Sequence, residues 1–349
     1  MKSLFLAAFL AVGTGLASAE GRPITYMPEG GYAPTVDTVY VAPSAETPLE
    51  PGQKIADLTT RNFAGETVLQ RLTERAYWVQ KTFYNALFVV GESGVLLIDT
   101  LNFGNQHAVL AAIRSVTDKP VSTVILSHHH QDHVGGLAPF AASAREAGIA
   151  LRVIASAETA AGLTRAGLDN PVTEVVVADQ DSVRFEDQTI RLIRFETPAH
   201  TYDSTAWLLV EQGILHAPDL TNPDQMAYRN FGGSEQYDGY PENLAVLAAQ
   251  KFTYFSGGHG NVGGPEDIAF MRRYLVDLED AVKASAGAAK FADFLKPEYG
   301  NHQASATAYH NALNAAALEM LRPKYGDFYG FDASVPIQIR MVRDALAHR

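Results

Sequence analysis

One stretch of the chain, Ser127–Gly136, concentrates side chains that can bind a metal ion. It reads Ser-His-His-His-Gln-Asp-His-Val-Gly-Gly, and its candidate ligands are His128, His130, Asp132 and His133. Imidazole nitrogens suit zinc, iron, manganese and nickel, and a carboxylate adds a hard oxygen ligand. Chance would produce this HxHxDH spacing in about one such sequence in two thousand. The spacing therefore favours a metal site over the alternative, a solvated histidine-rich loop.

The overall composition narrows the chemistry further. The chain has 349 residues, 11 His and no Cys, which excludes disulfides, thiolate catalysis, zinc–thiolate sites and iron–sulfur clusters. The 27 basic and 39 acidic residues give a net charge of −12, which argues against a nucleic-acid partner. A hydrophobic content of 47% is typical of a globular core. Any metal site must therefore be built from His and carboxylate ligands.

The elements around the motif predict how it is held. The apolar run 121–126 predicts a buried strand directly before it, after which alternate side chains can point the same way. Strand-like and helix-like segments are mixed between about residues 70 and 285, which predicts an α/β or α+β fold. Helical patterns over 304–321, ended by Pro323, and over 335–347 predict a helical tail.

The N-terminus has the three parts of a secretory signal peptide. Lys2 precedes an apolar run, and Ala17-Ser18-Ala19 supplies small residues before a cut after Ala19. The run is shorter than the roughly 20 residues that span a bilayer, so we expect a periplasmic or secreted protein without a membrane anchor. The predicted division is a signal peptide over 1–19, an irregular N-terminal extension over 20–69, a central catalytic domain over 70–285 and a helical C-terminal extension over 286–349.

The HxHxDH stretch resembles the signature of the metallo-β-lactamase-fold hydrolases. Four further motifs of that family occur in the right order, at 95–100 (Val-Leu-Leu-Ile-Asp-Thr), 198–201 (Pro-Ala-His-Thr), 214–219 (Ile-Leu-His-Ala-Pro-Asp) and 257–260 (Gly-Gly-His-Gly). The resemblance covers about residues 70–285. It implies a four-layer αβ/βα sandwich, to which the helical C-terminal extension would be added.

The same resemblance implies a ligand set for two metal ions. The first ion would be held by His128, His130 and His200, the second by Asp132, His133 and His259, and both by a bridging Asp219. Two Zn²⁺ are expected, with Fe or Mn as alternatives. Metals about 3.5–4 Å apart can share a hydroxide nucleophile, which Asp132 would orient as the catalytic carboxylate. Asp99 and His216 would support the ligands from behind.

Four further residues are candidates for substrate binding. Tyr202 follows His200 and could donate to an oxyanion. Tyr228, Arg229 and Asn230 lie between Asp219 and His259 along the chain, where they suggest a partly apolar pocket with a polar anchor. The alternative for all four is ordinary loop packing. His129, between two ligands, is expected to point away from them.

The ligand set separates several classes of hydrolase. Without Cys, the β-lactamases that use a Cys ligand are excluded, and the bridging Asp resembles that of ester, thioester, lactone and phosphodiester hydrolases. We therefore expect an exported binuclear metallohydrolase that cleaves an ester or lactone bond of a small molecule. The alternatives are a Cys-free β-lactamase, a phosphoester or sulfate ester hydrolase, and a non-catalytic metal-binding module. A homodimer through the C-terminal helices is a further expectation.

Overall fold

The structure is a computed structural model that describes residues 38–348. It begins with two short parallel strands, β1 (Val39–Val41) and β2 (Gln53–Ile55), which are followed by helix α1 (Leu58–Phe63). These regular elements lie inside the segment that the sequence predicts to be irregular. Leu49, Ile55 and Leu58 are buried in the core between the two main sheets, and this burial orders a segment without hydrophobic periodicity. The predicted signal peptide lies outside the described residues.

The first main sheet contains seven strands in chain order. They are β3 (Thr67–Arg71), β4 (Ala76–Lys81), β5 (Tyr84–Val90), β6 (Val95–Ile98), β7 (Val121–Leu126), β8 (Arg152–Ser156) and β9 (Glu174–Val176). Strands β3 to β6 pair antiparallel, whereas β6 to β9 pair parallel. The helices between the parallel strands are α2 (Asn105–Val116), α3 (Gln131–Val134), α4 (Ala138–Glu146) and α5 (Ala157–Arg165).

The second main sheet contains six strands, also in chain order. They are β10 (Ser182–Phe185), β11 (Gln188–Arg194), β12 (Thr205–Leu209), β13 (Ile214–His216), β14 (Tyr254–Ser256) and β15 (Val262–Gly263). Neighbouring strands are antiparallel except for β13 and β14, which are parallel. The later helices are α6 (Tyr240–Ala248), α7 (Pro265–Ala284), α8 (His302–Tyr325) and α9 (Phe331–Ala347).

Three clusters of buried apolar side chains hold these elements together in layers. Trp78 of the first sheet and Trp207 of the second belong to one cluster, so the sheets pack face to face. The outer face of the first sheet is covered by helices through residues such as Phe140, and the outer face of the second through residues such as Leu275. Because both faces of each sheet are covered, its strands are largely apolar on both sides. The order of layers is αβ/βα, which confirms the predicted fold.

The C-terminal helices differ from the predicted boundaries. Helix α8 continues through Pro323 to Tyr325, and α9 begins at Phe331 instead of Val335. Pro323 removes one backbone donor, but Leu321 and Tyr325 on the same turn are buried against α7, which offsets that loss. Among the described residues, no helix combines the length and the apolar character that crossing a membrane requires.

Candidate metal centre

The candidate ligands come from loops at one edge of the two sheets. His128 follows β7, and the helix α3 that comes next carries Asp132 and His133. Asp219 follows β13, and His259 follows β14, which runs parallel to β13. The carboxyl ends of parallel strands face the same way, so these loops converge on one crevice. Residues more than a hundred positions apart in sequence thereby become neighbours.

One group of candidate ligands consists of His128, His130, His200 and Asp219, whose ligand atoms lie within 4.8 Å of one another. Oδ2 of Asp219 is 3.5 Å from Nε2 of His128 and 3.2 Å from Nε2 of His200. Nδ1 of His130 is 3.1 Å from Nε2 of His200. These nitrogens and the carboxylate oxygen surround a common point, as the ligands of one metal ion must.

A second group, Asp132, His133 and His259, has its ligand atoms within the same 4.8 Å. Asp219 contacts this group too, because its Oδ2 lies 3.1 Å from Nε2 of His133 and its Oδ1 lies 3.2 Å from Nε2 of His259. Asp132 and His259 are about a quarter exposed, whereas Asp219 is buried. The Asp219 carboxylate therefore lies between the two groups, and Asp132 and His259 of the second group lie on the open side of the crevice.

The chemistry of the buried ligand atoms fits metal ions. Nε2 of His128, Nε2 of His133 and Oδ1 of Asp219 are buried without a hydrogen-bond partner, although buried polar atoms are nearly always paired. Burial lowers the pKa of His128, and burial together with His200 lowers the pKa of His130 to about 4. Both imidazoles are therefore neutral at pH 7 and keep a lone pair for a metal.

The pKa of His133 is shifted in the opposite direction. Burial disfavours its charged form, but the carboxylates of Asp219, Asp132 and Asp99 outweigh this effect and raise the pKa of His133 to about 10. In turn, His133, His259 and His200 hold the pKa of the buried Asp219 well below its usual range. The pocket thus favours positive charge at this point, and a divalent cation would supply it in place of the His133 proton.

A buried polar network supports the ligands from behind. Asp99 accepts hydrogen bonds from the backbone N–H of Ser127 at 3.0 Å and from its hydroxyl at 2.8 Å. The Ser127 hydroxyl lies 3.0 Å from Nδ1 of His128, which orients that imidazole. On its other side, Asp99 contacts Nε2 of His216 at 2.9 Å. The structure thus places Asp99 and His216 where the sequence predicts supporting residues, and it adds Ser127.

The backbone at the crevice requires unusual conformations. Asp219 has a φ of 65°, in the left-handed region that non-glycine residues seldom adopt. Gly258 has a φ of 75°, and a Cβ at this position would lie 2.7 Å from Cε1 of His133. A larger residue at 258 would therefore displace a ligand, which explains the glycine before His259.

Tyr202 lies beside His129, on the outer side of the ligand group. Its ring stacks on the His129 imidazole with centroids 4.9 Å apart, and its hydroxyl donates to the carbonyl of Gly162 at 3.3 Å. His129 is paired with the buried Asp203 at 2.6 Å and belongs to neither ligand group. The hydroxyl of Tyr202 is thus bound within the protein, which differs from the predicted role as a donor to an oxyanion.

The other predicted substrate residues lie in the loop after Asp219. Tyr228 is 61% exposed, and the Arg229 guanidinium lies 5.9 Å from the centre of its ring. The side chain of Asn230 donates to the carbonyl of Ser234 at 3.0 Å, so it braces the loop itself. Of these three, Tyr228 and Arg229 have exposed side chains.

The structure adds Tyr84, which the sequence analysis missed. Its ring lies 4.9 Å from the His259 imidazole, and burial together with Asp132 and Asp219 raises its pKa, so it is protonated at pH 7. It follows a two-residue turn in which Thr82 and Phe83 both have positive φ. The Phe83 carbonyl lies 2.9 Å from Nδ1 of His259 and fixes that ring. The turn could not be recognised from the sequence, because two-residue turns with positive φ usually contain glycine or asparagine, and this one contains neither.

Comparison with known proteins agrees with the fold. The sequence model of the metallo-beta-lactamase superfamily matches residues 80–330. The chain therefore belongs to the metallo-beta-lactamase superfamily. Its fold and its His and Asp cluster are those of a metal-binding hydrolase of that superfamily, and divalent ions suit the donor set.

Two sequence relatives come from Nocardioides sp. (strain JS1661). The 2,4-dinitroanisole O-demethylase subunit beta is 34% identical over 234 residues, which are 62% of this chain and 66% of that subunit. The subunit alpha of the same enzyme is 27% identical over 234 residues, 64% of this chain and 68% of the subunit. The matched region thus spans slightly less than two thirds of the length of the beta subunit.

Solved structures resemble about 60% of the chain. A metallo-beta-lactamase from Pontibacter korlensis matches with a TM-score of 0.51 and 18% identity, over 60% of this chain and 98% of that protein. Metallo-beta-lactamase IND-7 matches with a TM-score of 0.50 and 18% identity, over 59% of this chain and 96% of that protein. At this identity, the similarity shows a shared fold.

Proposed function

We propose that the protein is an exported hydrolase that holds two divalent metal ions, expected to be Zn²⁺, and cleaves an ester or lactone bond of a small molecule. One observation carries the proposal: the Asp219 carboxylate contacts His128 and His200 on one side and His133 and His259 on the other. A carboxylate between two ligand groups suits a pair of cations. Export is the part of the proposal that rests on the sequence of residues 1–19 alone.

Each ligand residue has a definite task in such a reaction. The metal ions would lower the pKa of water so that a nucleophile is available at neutral pH, and they would polarise the carbonyl group of the substrate. Asp132, about a quarter exposed at the open side, can accept a proton from an attacking water and later return it to the leaving oxygen. His128 and His133, both buried, hold the ligand geometry that this transfer requires.

The residues around the open side favour a substrate with an apolar or aromatic part. The Tyr84 ring lies beside His259, and Phe83 contacts Phe63 with ring centroids 5.2 Å apart. Phe63 is 77% exposed and Tyr228 is 61% exposed, so both rings are accessible to a ligand. These rings could stack against the aromatic part of an aryl ester.

A second candidate function is hydrolysis of an aryl ether. The relative with 34% identity is named as a subunit of an enzyme that removes the methyl group of 2,4-dinitroanisole. The exposed aromatic rings near His259 would accommodate such a substrate as well as an aryl ester. A β-lactamase of the Cys-free type, a phosphoester or sulfate ester hydrolase and a non-catalytic metal-binding module stay as alternatives. The homodimer through the C-terminal helices also stays a prediction.

A substrate panel on the purified, zinc-loaded protein tests the proposal. It contains phenyl acetate, an acyl-homoserine lactone, 2,4-dinitroanisole, nitrocefin, an alkyl sulfate and bis(p-nitrophenyl) phosphate. We expect turnover of the ester or the lactone, and its loss in His130→Ala but not in His107→Ala, which changes an exposed histidine on α2. Turnover of nitrocefin alone would instead assign a β-lactamase. Fewer than one metal ion per chain without any turnover would favour a non-catalytic module.

A further inference from the structure

The C-terminal helix α9 is connected to the loop of residues 226–234 by hydrogen bonds to its backbone. The hydroxyl of Ser334 accepts from the N–H of Arg229 at 3.0 Å, and the side-chain amide of Gln338 donates to the carbonyl of Ala227 at 2.5 Å. Just before α9, the carbonyl of Tyr329 accepts from the N–H of Met226 at 2.9 Å. Three contacts, at residues 226, 227 and 229, therefore hold the first half of the loop.

The two side chains that make these contacts are buried. Ser334 is 2% exposed and Gln338 is fully buried, and the amide oxygen of Gln338 also accepts a hydrogen bond from Tyr274 of α7. A buried polar group that loses its partner is destabilising, so such contacts specify one path of the chain. Both residues are remote in sequence from the ligand motifs, and neither belongs to a motif that carries the family resemblance.

The other end of the same loop touches the metal ligands. A Cβ on Gly232 would lie 3.1 Å from the backbone oxygen of Asp219, and a Cβ on Gly233 would lie 3.9 Å from Cε1 of His200. The hydroxyl of Tyr240, which follows the loop, donates to the carbonyl of Asp219 at 3.2 Å. The loop therefore lies between α9 and the candidate metal centre.

The loop is held in a conformation that it would not adopt freely. Arg229 has a φ of 46° and Phe231 a φ of 54°, both in the left-handed region that disfavours side chains with a Cβ. Such residues persist only where the surrounding structure determines their conformation, and they are often found at functional sites. The contact from Ser334 is made to the N–H of Arg229 itself, one of the two strained residues.

We propose that Ser334 and Gln338 are positioning residues, through which the C-terminal helix α9 determines the selectivity of the site. They hold the 226–234 loop so that Tyr228 and Arg229 lie at the edge of the centre, where they contact the part of the substrate remote from the cleaved bond. The selectivity rests on the proposed function, whereas the positioning of the loop does not. The C-terminal extension is then part of the substrate site.

Hydrogen exchange on the zinc-loaded full-length protein tests the positioning. In Ser334→Ala, we expect at least about fivefold faster exchange of amides in the 226–234 loop, as loss of one hydrogen bond would allow, with unchanged metal content. Ser305→Ala, which removes a buried hydroxyl from α8, is the matched control and should leave the loop unchanged. Gln338→Leu removes the other contact at similar volume and replaces Ser334→Ala if that variant does not fold. Unchanged exchange in a folded variant would overturn the proposal.

Steady-state kinetics test the selectivity. For phenyl acetate and a bulkier ester, phenyl benzoate, Ser334→Ala should leave kcat nearly unchanged and raise KM about fivefold for the bulkier ester alone. Ser334→Thr, which keeps the hydroxyl, should restore the KM of the wild type. Equal changes for both esters would overturn the role in selectivity. If the wild type hydrolyses no substrate of the panel, the proposed function fails, and hydrogen exchange alone decides the positioning role.

Discussion

Nε2 of His216 lies 2.9 Å from Oδ2 of Asp99, and neither side chain is exposed to solvent. His216 ends β13 of the second sheet, whereas Asp99 follows β6 of the first, so this pair joins the two sheets directly behind the ligands. The hydroxyl of Ser256 contacts the other nitrogen of His216 at 3.0 Å and donates to Asn85 at 2.8 Å. A single polar network therefore couples the packing of the sheets to the orientation of the His128 imidazole.

Asp99→Asn should weaken metal binding without removing any ligand. The amide cannot accept from Ser127 and contact His216 as the carboxylate does, and changes in such supporting partners typically reduce metal affinity about 10–100-fold. Competition with a chelator measures this change. Asp187→Asn, which changes an exposed carboxylate paired with Arg75, is the control and should bind metal as the wild type does. Unchanged affinity in Asp99→Asn would contradict the supporting role.

His130→Ala should remove activity together with metal. His130 offers Nδ1 to the first ligand group, and without it that group keeps only two imidazoles and the shared Asp219 carboxylate. We expect metal content to fall by at least one ion per chain and turnover by about 10³-fold or more, since the ions supply the nucleophile. Elemental analysis and a turnover assay measure both. Full turnover after complete metal loss would refute the assignment of the site.

Tyr84→Ala should reduce affinity for substrates with an aromatic part. An aromatic contact contributes about 0.5–1.5 kcal/mol beyond burial, so KM for phenyl benzoate should rise about 2–12-fold. Tyr84→Phe keeps the ring beside His259 and should retain the KM of the wild type. If both variants lose activity equally, the hydroxyl and not the ring is the group that matters.

Lys54→Met should destabilise the fold, because it breaks a buried ion pair. Nζ of Lys54 lies 2.9 Å from both carboxylate oxygens of Asp267 in the first turn of α7, and both side chains are buried. Removing one partner of a buried pair typically costs about 3–5 kcal/mol, because the other charge is left uncompensated. Denaturant unfolding measures the loss, with Lys251→Met at an exposed position as the control. An unchanged midpoint would show that the N-terminal segment does not stabilise α7.

Asp224 should make stability dependent on pH. Burial raises its pKa to about 6, against the favourable contacts with Lys54, Tyr40 and Asn261. The folded protein then binds the proton at a pH where the unfolded chain has released it. This group therefore contributes its full stability below about pH 4, and the free energy of unfolding falls by about 3 kcal/mol as the pH rises through about 6 to 7.

The difference in the free energy of unfolding between Asp224→Asn and the wild type isolates this contribution. Measured without metal at several pH values, the difference should shift in favour of the variant by up to about 3 kcal/mol between pH 4 and pH 7. A shift of the opposite sign would mean that the hydrogen bonds from Tyr40 and Asn261 stabilise the carboxylate more than burial destabilises it.

The family and the seven candidate ligands could be predicted from the sequence alone, because those signals are local. The HxHxDH motif needs one strand and one turn to bring several ligands together, and the apolar run before it marks that strand. The strand at 254–256 and the helix at 240–248 escaped prediction, since each is too short for its hydrophobic pattern to stand out.

Which distant residues are in contact could be seen only in the folded chain. Tyr84 beside His259, Lys54 against Asp267 and Ser334 under Arg229 each join positions more than a hundred residues apart. No periodicity encodes such pairs, because they depend on how the sheets and helices pack after the elements have formed. The same packing placed the Asp219 carboxylate between two groups of histidines, since it brings together the ends of strands from both sheets.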